Sequence, residues 1–556
     1  MRWWIVIVVW VLGWNASAQI QVMTPWWTAI GTTDTTELGL SVAGIGDINL
    51  DGFDDFAVGT EEKRVWIFLG SAEPDSIPDM FINPHDSIDH KFGEKLSNLG
   101  DINGDGEPDL AVYCRYAIGD PATMYSIYFA GAAFDTIPDL LLGKVYIGED
   151  FIVGIGDFNG DGGNDFALGD YTFSNPGQYN DGVMQVFFGG TILDSIPDWQ
   201  NLTEPPDGYF PKYCTGLGDL NGDGCDEFAV CSPSVKDTIF SEVIGLVEVY
   251  YGSSTPDTIP DFRFYGSEDG SDVLGSSIAA LDVNGDGYKE MLVRSDRDFP
   301  PDYFYSYLIY DLVPEPDSIP DYFLGGTALH VVGHKPTVID FNGDGWDDLA
   351  TGFSQTFTGA GSMHVYLFGD EFNESIDLFM YGHYNDCRMG WALANIGDIN
   401  DDGIEDLAVG EPGFFTFIYQ SKWGRIHVVL GDTTYHQSVG VQETSNPIPT
   451  SEILLNVYPN PFNSQVTIAF DLPVGGEVAL EVFDVFGRRV FSSFTGSETT
   501  PTTGLIPSGH HQISIDAAGW SSGIYFVRVS VMPKSGSGTT PITGNLQAMK
   551  KVVLVK

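Results

Sequence analysis

The sequence predicts an all-β chain, a seven-bladed β-propeller followed by a small Ig-like β-sandwich. Three observations predict it. A nine-residue string recurs seven times, starting at Asp47, Asp101, Asp157, Asp219, Asp282, Asp340 and Asp398, at spacings of 54, 56, 62, 63, 58 and 58 residues. Each copy sits among four short alternating runs without a helical period, as in one four-stranded blade. Past residue 451 the repeat is gone and the charge balance changes.

Every repeat keeps one order. An apolar run such as Ser41–Ile45 precedes the string, and an alternating run such as Asp55–Gly59 or Asp406–Gly410 follows it. A third run comes next, for example Val65–Leu69, Met184–Phe188, Val247–Tyr251 or Ile426–Leu430. A second marker, Asp-Ser/Thr-Ile-Pro-Asp, begins at Asp75, Asp135, Asp194, Asp257 and Asp317, with a degenerate copy near Ser375–Asp377. It leads into a fourth run such as Met80–Ile82, and the marker prolines (Pro78, Pro138, Pro197, Pro260 and Pro320) are expected at the start of that outer strand, where an edge has unused donors. One such blade cannot bury both faces, so neighbours packed around an axis must cover it. The seventh repeat lacks its fourth run, and Trp26–Ala29 stands spare near the N-terminus. That segment is expected to be the outer strand of the last blade and to close the ring.

The repeated string is Asp-x-Asn-x-Asp-Gly-x-x-Asp/Glu. Positions 1, 3 and 5 aim side-chain oxygens at one centre, position 7 can add a carbonyl, and position 9 can close the shell with two oxygens. Glycine at position 6 permits the left-handed turn. A hard cation taking six to eight oxygens has these demands, which favours Ca2+ over zinc or magnesium, at up to seven sites. The expected ligands are Asp47, Asn49, Asp51 and Asp55; Asp101, Asn103, Asp105 and Asp109; Asp157, Asn159, Asp161 and Asp165; and Asp219, Asn221, Asp223 and Glu227. The last three loops offer Asp282, Asn284, Asp286 and Glu290; Asp340, Asn342, Asp344 and Asp348; and Asp398, Asn400, Asp402 and Asp406. Seven Asx/Gly turns without metal are the alternative, and seven copies with every oxygen position filled argue against it.

These loops, the following Asp-Leu-Ala-Val-Gly strands and Gly410-Glu-Pro-Gly413 resemble the FG-GAP repeats of integrin α-like propellers, over roughly residues 22–432. The leading Phe-Gly is weakly kept: Phe92-Gly93 has it, while Leu38-Gly39, Leu274-Gly275 and Met389-Gly390 are variants. The resemblance implies that the metal loops share one face and are mainly structural, while partners meet the opposite face.

Net charge is 24 − 78 = −54, although only 18% of residues are charged. Nucleic acid and acidic membrane surfaces are poor partners for such a chain, since both need Lys and Arg. Residues 452–556 hold seven acidic and seven basic residues, so the excess lies in residues 1–451. Residues 1–18 read as a signal peptide, with Arg2, an apolar Trp3–Trp14 and the small-x-small Ala16–Ala18. Twelve apolar residues are too few to span a bilayer, which needs about 20, and no other segment could span after its removal. Five sparse cysteines (Cys114, Cys214, Cys225, Cys231 and Cys387) form neither a disulfide framework nor a Cys-x-x-Cys zinc site.

The organisation read is a signal peptide (1–18), a propeller (19–432), a polar linker (433–451) and a sandwich (452–556). The last contains Tyr458-Pro-Asn-Pro-Phe462, Phe483-Asp-Val-Phe-Gly-Arg-Arg489 and a basic Lys551-Val-Val-Leu-Val-Lys556 end. It resembles the type A sorting domain of the type IX secretion system. That implies a Gram-negative source, export to the medium or the outer cell surface, and the type IX machinery as a partner.

Catalytic patterns are scarce. Gly519-Trp-Ser521-Ser-Gly523 fits Gly-x-Ser-x-Gly but falls in a turn of the sorting domain rather than between a strand and a helix. His330 and His334 lie in a strand-like context, where spacing by four does not bring them together. Aromatics crowd the segments between second and third strands: Tyr113 and Tyr116; Tyr171, Phe173 and Tyr179; Phe299, Tyr303 and Phe304; Phe414, Phe415, Tyr419 and Trp423. Such residues stack on sugars, make protein hot spots or pack on each other. The expected function is a calcium-binding adhesion or ligand-binding module for an extracellular glycan or protein. The alternative is an extracellular lyase-like enzyme, for which Arg294 and Arg297 are the best uronate-neutralising candidates.

Overall fold

A computed structural model describes residues 21–435 except 34–35, 85–90, 116–122, 132–133, 144–149, 172–181, 192, 202–209, 237–242, 267–272, 300–301, 314–315, 326–334, 354–359, 370–371, 374, 383–386 and 417–420. Beyond them it describes 454–458, 465–472, 476–484, 488–494, 509–517, 520, 523–533 and 546–554. The proposed signal peptide, most of the linker, and His330 and His334 lie outside the described residues. The chain divides into two compact units, Met1–Gly440 and Val441–Lys556, with the division inside the expected linker.

The first unit contains seven antiparallel sheets that follow one plan, among the described residues. In the first blade Ser41–Gly46 pairs with Asp55–Gly59, then Val65–Phe68, then Met80–Ile82. The inner strands of the next five blades are Leu96–Asn98, Asp150–Gly156, Tyr213–Gly218, Val273–Leu281 and Lys335–Ile339. The seventh blade runs Leu393–Asn395, Leu407–Glu411 and Arg425–Val429, and its outer strand is Trp27–Ile30 from the other end of the chain. Trp27 faces Val428 and Ile30 faces Arg425. The expected closing strand is therefore present, shifted by one residue. A short segment, Gln21–Val22, also joins the sixth blade in parallel to Leu378–Phe379, which the sequence did not announce.

Each inner strand contacts those before and after it, and the circuit closes where Leu393–Asn395 meets Ser41–Gly46. One axial cavity of about 360 Å³ is lined by all seven inner segments, through Ser41, Lys95, Phe151, Tyr213, Ser277, Pro336 and Ala392 among others. The hydrophobic core is split the same way, with one cluster per junction between blades. The junction of the last and first blades buries Ala29, Leu38, Phe56, Val58, Ile396 and Val428. The other six clusters repeat that arrangement around the ring.

The recurring glycines sit at these junctions. A Cβ on Gly59 would run into the Gly93 carbonyl, one on Gly352 into that of Gly390, and one on Gly410 into that of Gly39. The glycine ending a second strand thus meets the glycine of the next blade's Phe-Gly position. The variants Leu38-Gly39 and Met389-Gly390 keep the half of the pair that packing needs. In the fourth blade buried Cys231 takes the glycine's place, against Gly275. Cys214 and Cys231 lie on paired strands one residue out of register, and all five cysteines are free.

The Asp-x-Ile-Pro-Asp markers are pins for the hairpin between third and outer strands. The first aspartate accepts the N–H two residues on, as Asp75 does from Ile77 at 2.7 Å. The last accepts an N–H just beyond the third strand, as Asp79 does from Leu69 at 3.0 Å. The degenerate copy works alike, through Asn373 with Ser375 and Asp377 with Leu367. Part of the acidity is thereby accounted for as backbone hydrogen bonding.

The second unit has seven strands in two sheets, among the described residues. Leu454–Tyr458, Gln465–Leu472 and Gly509–Asp516 form one sheet. Arg489–Phe494, Gly476–Asp484, Gly523–Pro533 and Leu546–Leu554 form the other. Val466, Ile468, Phe470 and Ile515 of one face Val478, Leu480, Val482 and Val527 of the other in a common core.

Candidate metal loops and the opposite face

All seven acidic loops join an inner strand to its second strand and so occupy one face of the ring. Each is wound by its own side chains. The position 1 carboxylate accepts the N–H groups of positions 5 and 6: Asp47 takes Asp51 at 3.0 Å and Gly52 at 2.7 Å. Asp101, Asp157, Asp219, Asp340 and Asp398 repeat both bonds, and Asp282 holds Gly285 and Gly287. At Asn49, Asn103, Asn284, Asn342 and Asn400 the position 3 amide oxygen accepts the backbone N–H of position 5. The position 5 carboxylates of Asp51, Asp105, Asp161, Asp223, Asp286, Asp344 and Asp402 each accept the backbone N–H of position 7. Position 6 glycine has positive φ throughout, from 87° at Gly403 to 103° at Gly106.

Position 9 is the anchor. Asp55, Asp109, Asp165, Glu227, Glu290, Asp348 and Asp406 are buried at 0–1% exposure. Asp55 accepts Ile48 N–H with one oxygen at 3.0 Å and Gly70 N–H with the other at 2.7 Å. Asp109, Asp165, Asp348 and Asp406 are held by two backbone donors in the same manner. Each carboxylate oxygen has a second lone pair, so these bonds orient position 9 and still leave it capacity to ligate. Burial pushes the position 9 carboxyls up, to about 8 at Asp55, Glu290 and Asp406, about 7 at Asp109, Asp165 and Glu227, and about 9 at Asp348. Neighbouring loop acids push in the same direction, and the backbone donors oppose them.

The donor set suits a hard divalent ion. In the fifth loop, oxygens of Asp282, Asp286 and Glu290 come within 4.8 Å of one another, with two exposed or half-exposed carboxylates over a buried one. Hard oxygens alone, three of them acidic, fit a hard divalent cation better than any thiolate- or imidazole-seeking metal.

Two loop positions escaped the sequence reading. Position 4 is left-handed in every copy, even at Leu50 and Asp401, with φ near 59° and 58°. Position 8 reaches the neighbouring blade, as described below. Only the repetition of glycine at position 4 in five copies could have signalled the first.

The opposite face corrects several expectations. Tyr113 is not in a loop: it lies in strand Leu110–Arg115, 4% exposed, with its ring 5.5 Å from Tyr125. Phe299, Tyr303 and Phe304 belong to strands Glu290–Phe299 and Asp302–Tyr310, longer than the second and third strands of the other blades among the described residues. Arg294 lies in the same hairpin at 0% exposure, ion-paired to Asp296 at 2.8 Å, so it cannot meet a substrate carboxylate. Phe414 is covered by the Arg425 guanidinium at 3.4 Å, and Lys212 lies over Tyr171 at 4.0 Å. Tyr116, Phe173, Tyr179 and Tyr419 lie outside the described residues.

Comparison with known proteins agrees with this architecture. Residues 332–366 match the FG-GAP repeat family, and residues 456–538 match the secretion system C-terminal sorting domain family. Integrin alpha-6 of Gallus gallus is 34% identical over 99 residues, covering 17% of this chain and 9% of that protein. Integrin alpha-5 of Xenopus laevis is 33% identical over 98 residues, 16% and 9% of the two chains. The phosphatidylinositol-glycan-specific phospholipase D of Bos taurus is 30% identical over 189 residues, 30% and 22% of the two chains. The chain thus spans about a tenth of the length of the integrins it matches. The sorting domain marks a secreted or cell-surface protein. Among the described residues, no helix is long and apolar enough to cross a membrane.

Proposed function

We propose that this chain is an exported propeller, stiffened by calcium in its seven loops, that binds an extracellular glycan or protein through the face opposite those loops, adhesion included. The observation that carries the reading is the placement of all seven acidic loops on one face of a ring closed by its own N-terminal strand. Metal on that face leaves the hairpins and the axial mouth of the other free to vary without loosening the frame. The ligand sets proposed for calcium are the 28 residues at positions 1, 3, 5 and 9 named above. In the Gram-negative outer-surface setting that the sorting domain supports, extracellular calcium modules bind at about 10⁻⁴–10⁻³ M. The burial of Arg294 removes one of the two candidates for a lyase-type site.

Affinity electrophoresis of the calcium-loaded full chain through gels containing a panel of polysaccharides tests the binding role, with each gel then stained for polymer. Retardation without polymer loss is the expected result. Clearing around the band would replace the binding reading with an enzymatic one. No retardation in any gel would exclude those glycans and leave a protein ligand, to be sought by surface plasmon resonance on the same chain.

A further inference from the structure

The eighth residue of each loop, which the ligand motif leaves unspecified, lies against the preceding blade. Asp54 Oδ2 accepts the N–H of Asp398 at 2.8 Å, across the closure of the ring. Asp226 Oδ2 accepts Asp157 N–H at 2.8 Å, Asp347 Oδ2 accepts Asp282 N–H at 2.9 Å, and Glu405 Oε2 accepts Asp340 N–H at 2.8 Å. The acceptor is always position 8 and the donor always position 1 of the loop one blade earlier. Two of the contacts are closed by a return bond: Asp54 N–H to Asp398 O at 3.2 Å, and Asp226 N–H to Asp157 O at 2.8 Å. These half-buried acids are hydrogen-bonded outward from their own loop, so they serve a role separate from the inward-facing positions.

Three loops break the pattern. Position 8 is Pro108 in the second, Asn164 in the third and Lys289 in the fifth. Proline and lysine have no carboxylate to offer. Asn164 keeps a backbone bond, its N–H to Asp101 O at 3.3 Å, among the described contacts.

We propose that the position 8 acids are positioning residues that link calcium binding in adjacent loops, and that they divide the seven loops into three independent sets. The first, seventh, sixth and fifth loops form one chain through Asp54, Glu405 and Asp347. The fourth and third form a pair through Asp226. Among the described residues, the second loop has no carboxylate link to a neighbour and keeps only the backbone bonds from Asn164 N–H to Asp101 O at 3.3 Å and Gly190 N–H to Ile102 O at 2.8 Å. An ion in one loop orders its run of nine residues, including position 8. The ordered carboxylate then fixes the N–H, and with it the backbone, of the first ligand residue next door. That neighbour loses less freedom when its own ion arrives, which raises its affinity, and linkage makes the effect mutual. The inference rests on the calcium reading above.

Hydrogen–deuterium exchange resolved to loop peptides, followed across a calcium titration of the full chain, gives one midpoint per loop. Asp226→Ala removes one charge-assisted hydrogen bond and is expected to raise the midpoint of the 157–165 loop roughly tenfold, leaving the 340–348 loop where it was. Pro108→Ala, which removes no polar link, is expected to leave the 47–55 loop unmoved, and Lys289→Asp to lower the midpoint of the 219–227 loop by creating the missing link. Equal shifts in every loop of Asp226→Ala, or a Pro108→Ala effect on its neighbour as large as that of Asp226→Ala, would overturn the proposal. If no loop responds to calcium, the metal reading fails on its own. The clamp is then read from metal-free exchange at the Asp157 amide, which Asp226→Ala must accelerate; an unchanged rate overturns the clamp as well.

Discussion

Stripping the metal should reverse the usual pH dependence of this fold. The position 9 carboxyls are buried, and without an ion their folded pKa values lie far above that of an unfolded aspartate. The protonated form that suits the metal-free fold is fully populated below about pH 4 and is lost as pH rises through 7 to 9. For Asp348, at 0% exposure, the carboxyl moves from 3.8 to about 9. Each pH unit between those values removes about 1.4 kcal/mol of metal-free stability. At pH 7 this one group opposes folding by at most roughly 4 kcal/mol, and the other six loops act with the same sign. Against a typical net stability of about 5–15 kcal/mol that is a large share, so the metal-free ring is expected to be markedly weaker near neutrality than in mild acid. A bound divalent ion favours the ionised carboxylates and removes the penalty. The assay is differential scanning calorimetry at about pH 5 and pH 8, with and without calcium. Metal should be removed on a chelating resin, since soluble chelators themselves titrate in this range. Metal-free melting is expected to fall by at least about 10 °C from pH 5 to pH 8, and the gain from calcium to grow over the same interval. A metal-free melting temperature that is flat or rises toward pH 8 would refute the reasoning.

Three further outcomes follow from single contacts. Ala29→Asp places a charge at a position 2% exposed, on the strand that closes the ring, and should cost several kcal/mol in urea unfolding of the first unit. Glu411, at 0% exposure, holds Arg425 at 2.9 Å and His427 at 3.0 Å, while His427 Nδ1 lies 2.8 Å from Thr28 of the closing strand. Glu411→Ala removes the buried carboxylate that faces Arg425 and His427 and is expected to cost about 3–5 kcal/mol, read in the same unfolding experiment; a cost below about 1 kcal/mol would mean the cluster does not bind the closing strand. In the second unit, Arg528 and then Arg489 hold the Glu481 carboxyl below its ordinary value, at 2.7 and 2.8 Å. That contribution is present above pH 4.5 and fades as pH falls through the lowered value, and because the arginines are solvated it amounts to at most about 1 kcal/mol, so Glu481→Gln should flatten the acid limb of the second unit's stability only slightly.

The blades were legible because their signals are local. Alternation at Asp55–Gly59, the turn at Asp75–Asp79 and the loop at Asp47–Asp55 each announce themselves within a few residues. The closing strand was legible by subtraction, since one blade lacked a partner for Arg425–Val429 and Trp27–Ile30 was left over. What the sequence concealed lies between blades. The glycine pairs Gly59–Gly93 and Gly410–Gly39 meet only when neighbours pack, so the Phe-Gly variants looked like erosion of a motif whose essential half was intact. Position 8 looked unconstrained for the same reason: the partner of its carboxylate is 65 to 344 residues away. Asp226 to Asp157 is a sequence separation of 69, and nothing within the nine residues points across it. The aromatic segments misled because composition cannot separate an exposed ring from Tyr113, which fills a junction between blades.

The central claim is that the seven loops hold calcium. Anomalous difference density from crystals of the full chain grown in calcium tests it most directly. The account requires peaks enclosed by positions 1, 3, 5 and 9, beginning with the loop of Asp282, Asp286 and Glu290. Loops empty of anomalous density at millimolar calcium, with their carboxylates satisfied by water and backbone alone, would contradict it.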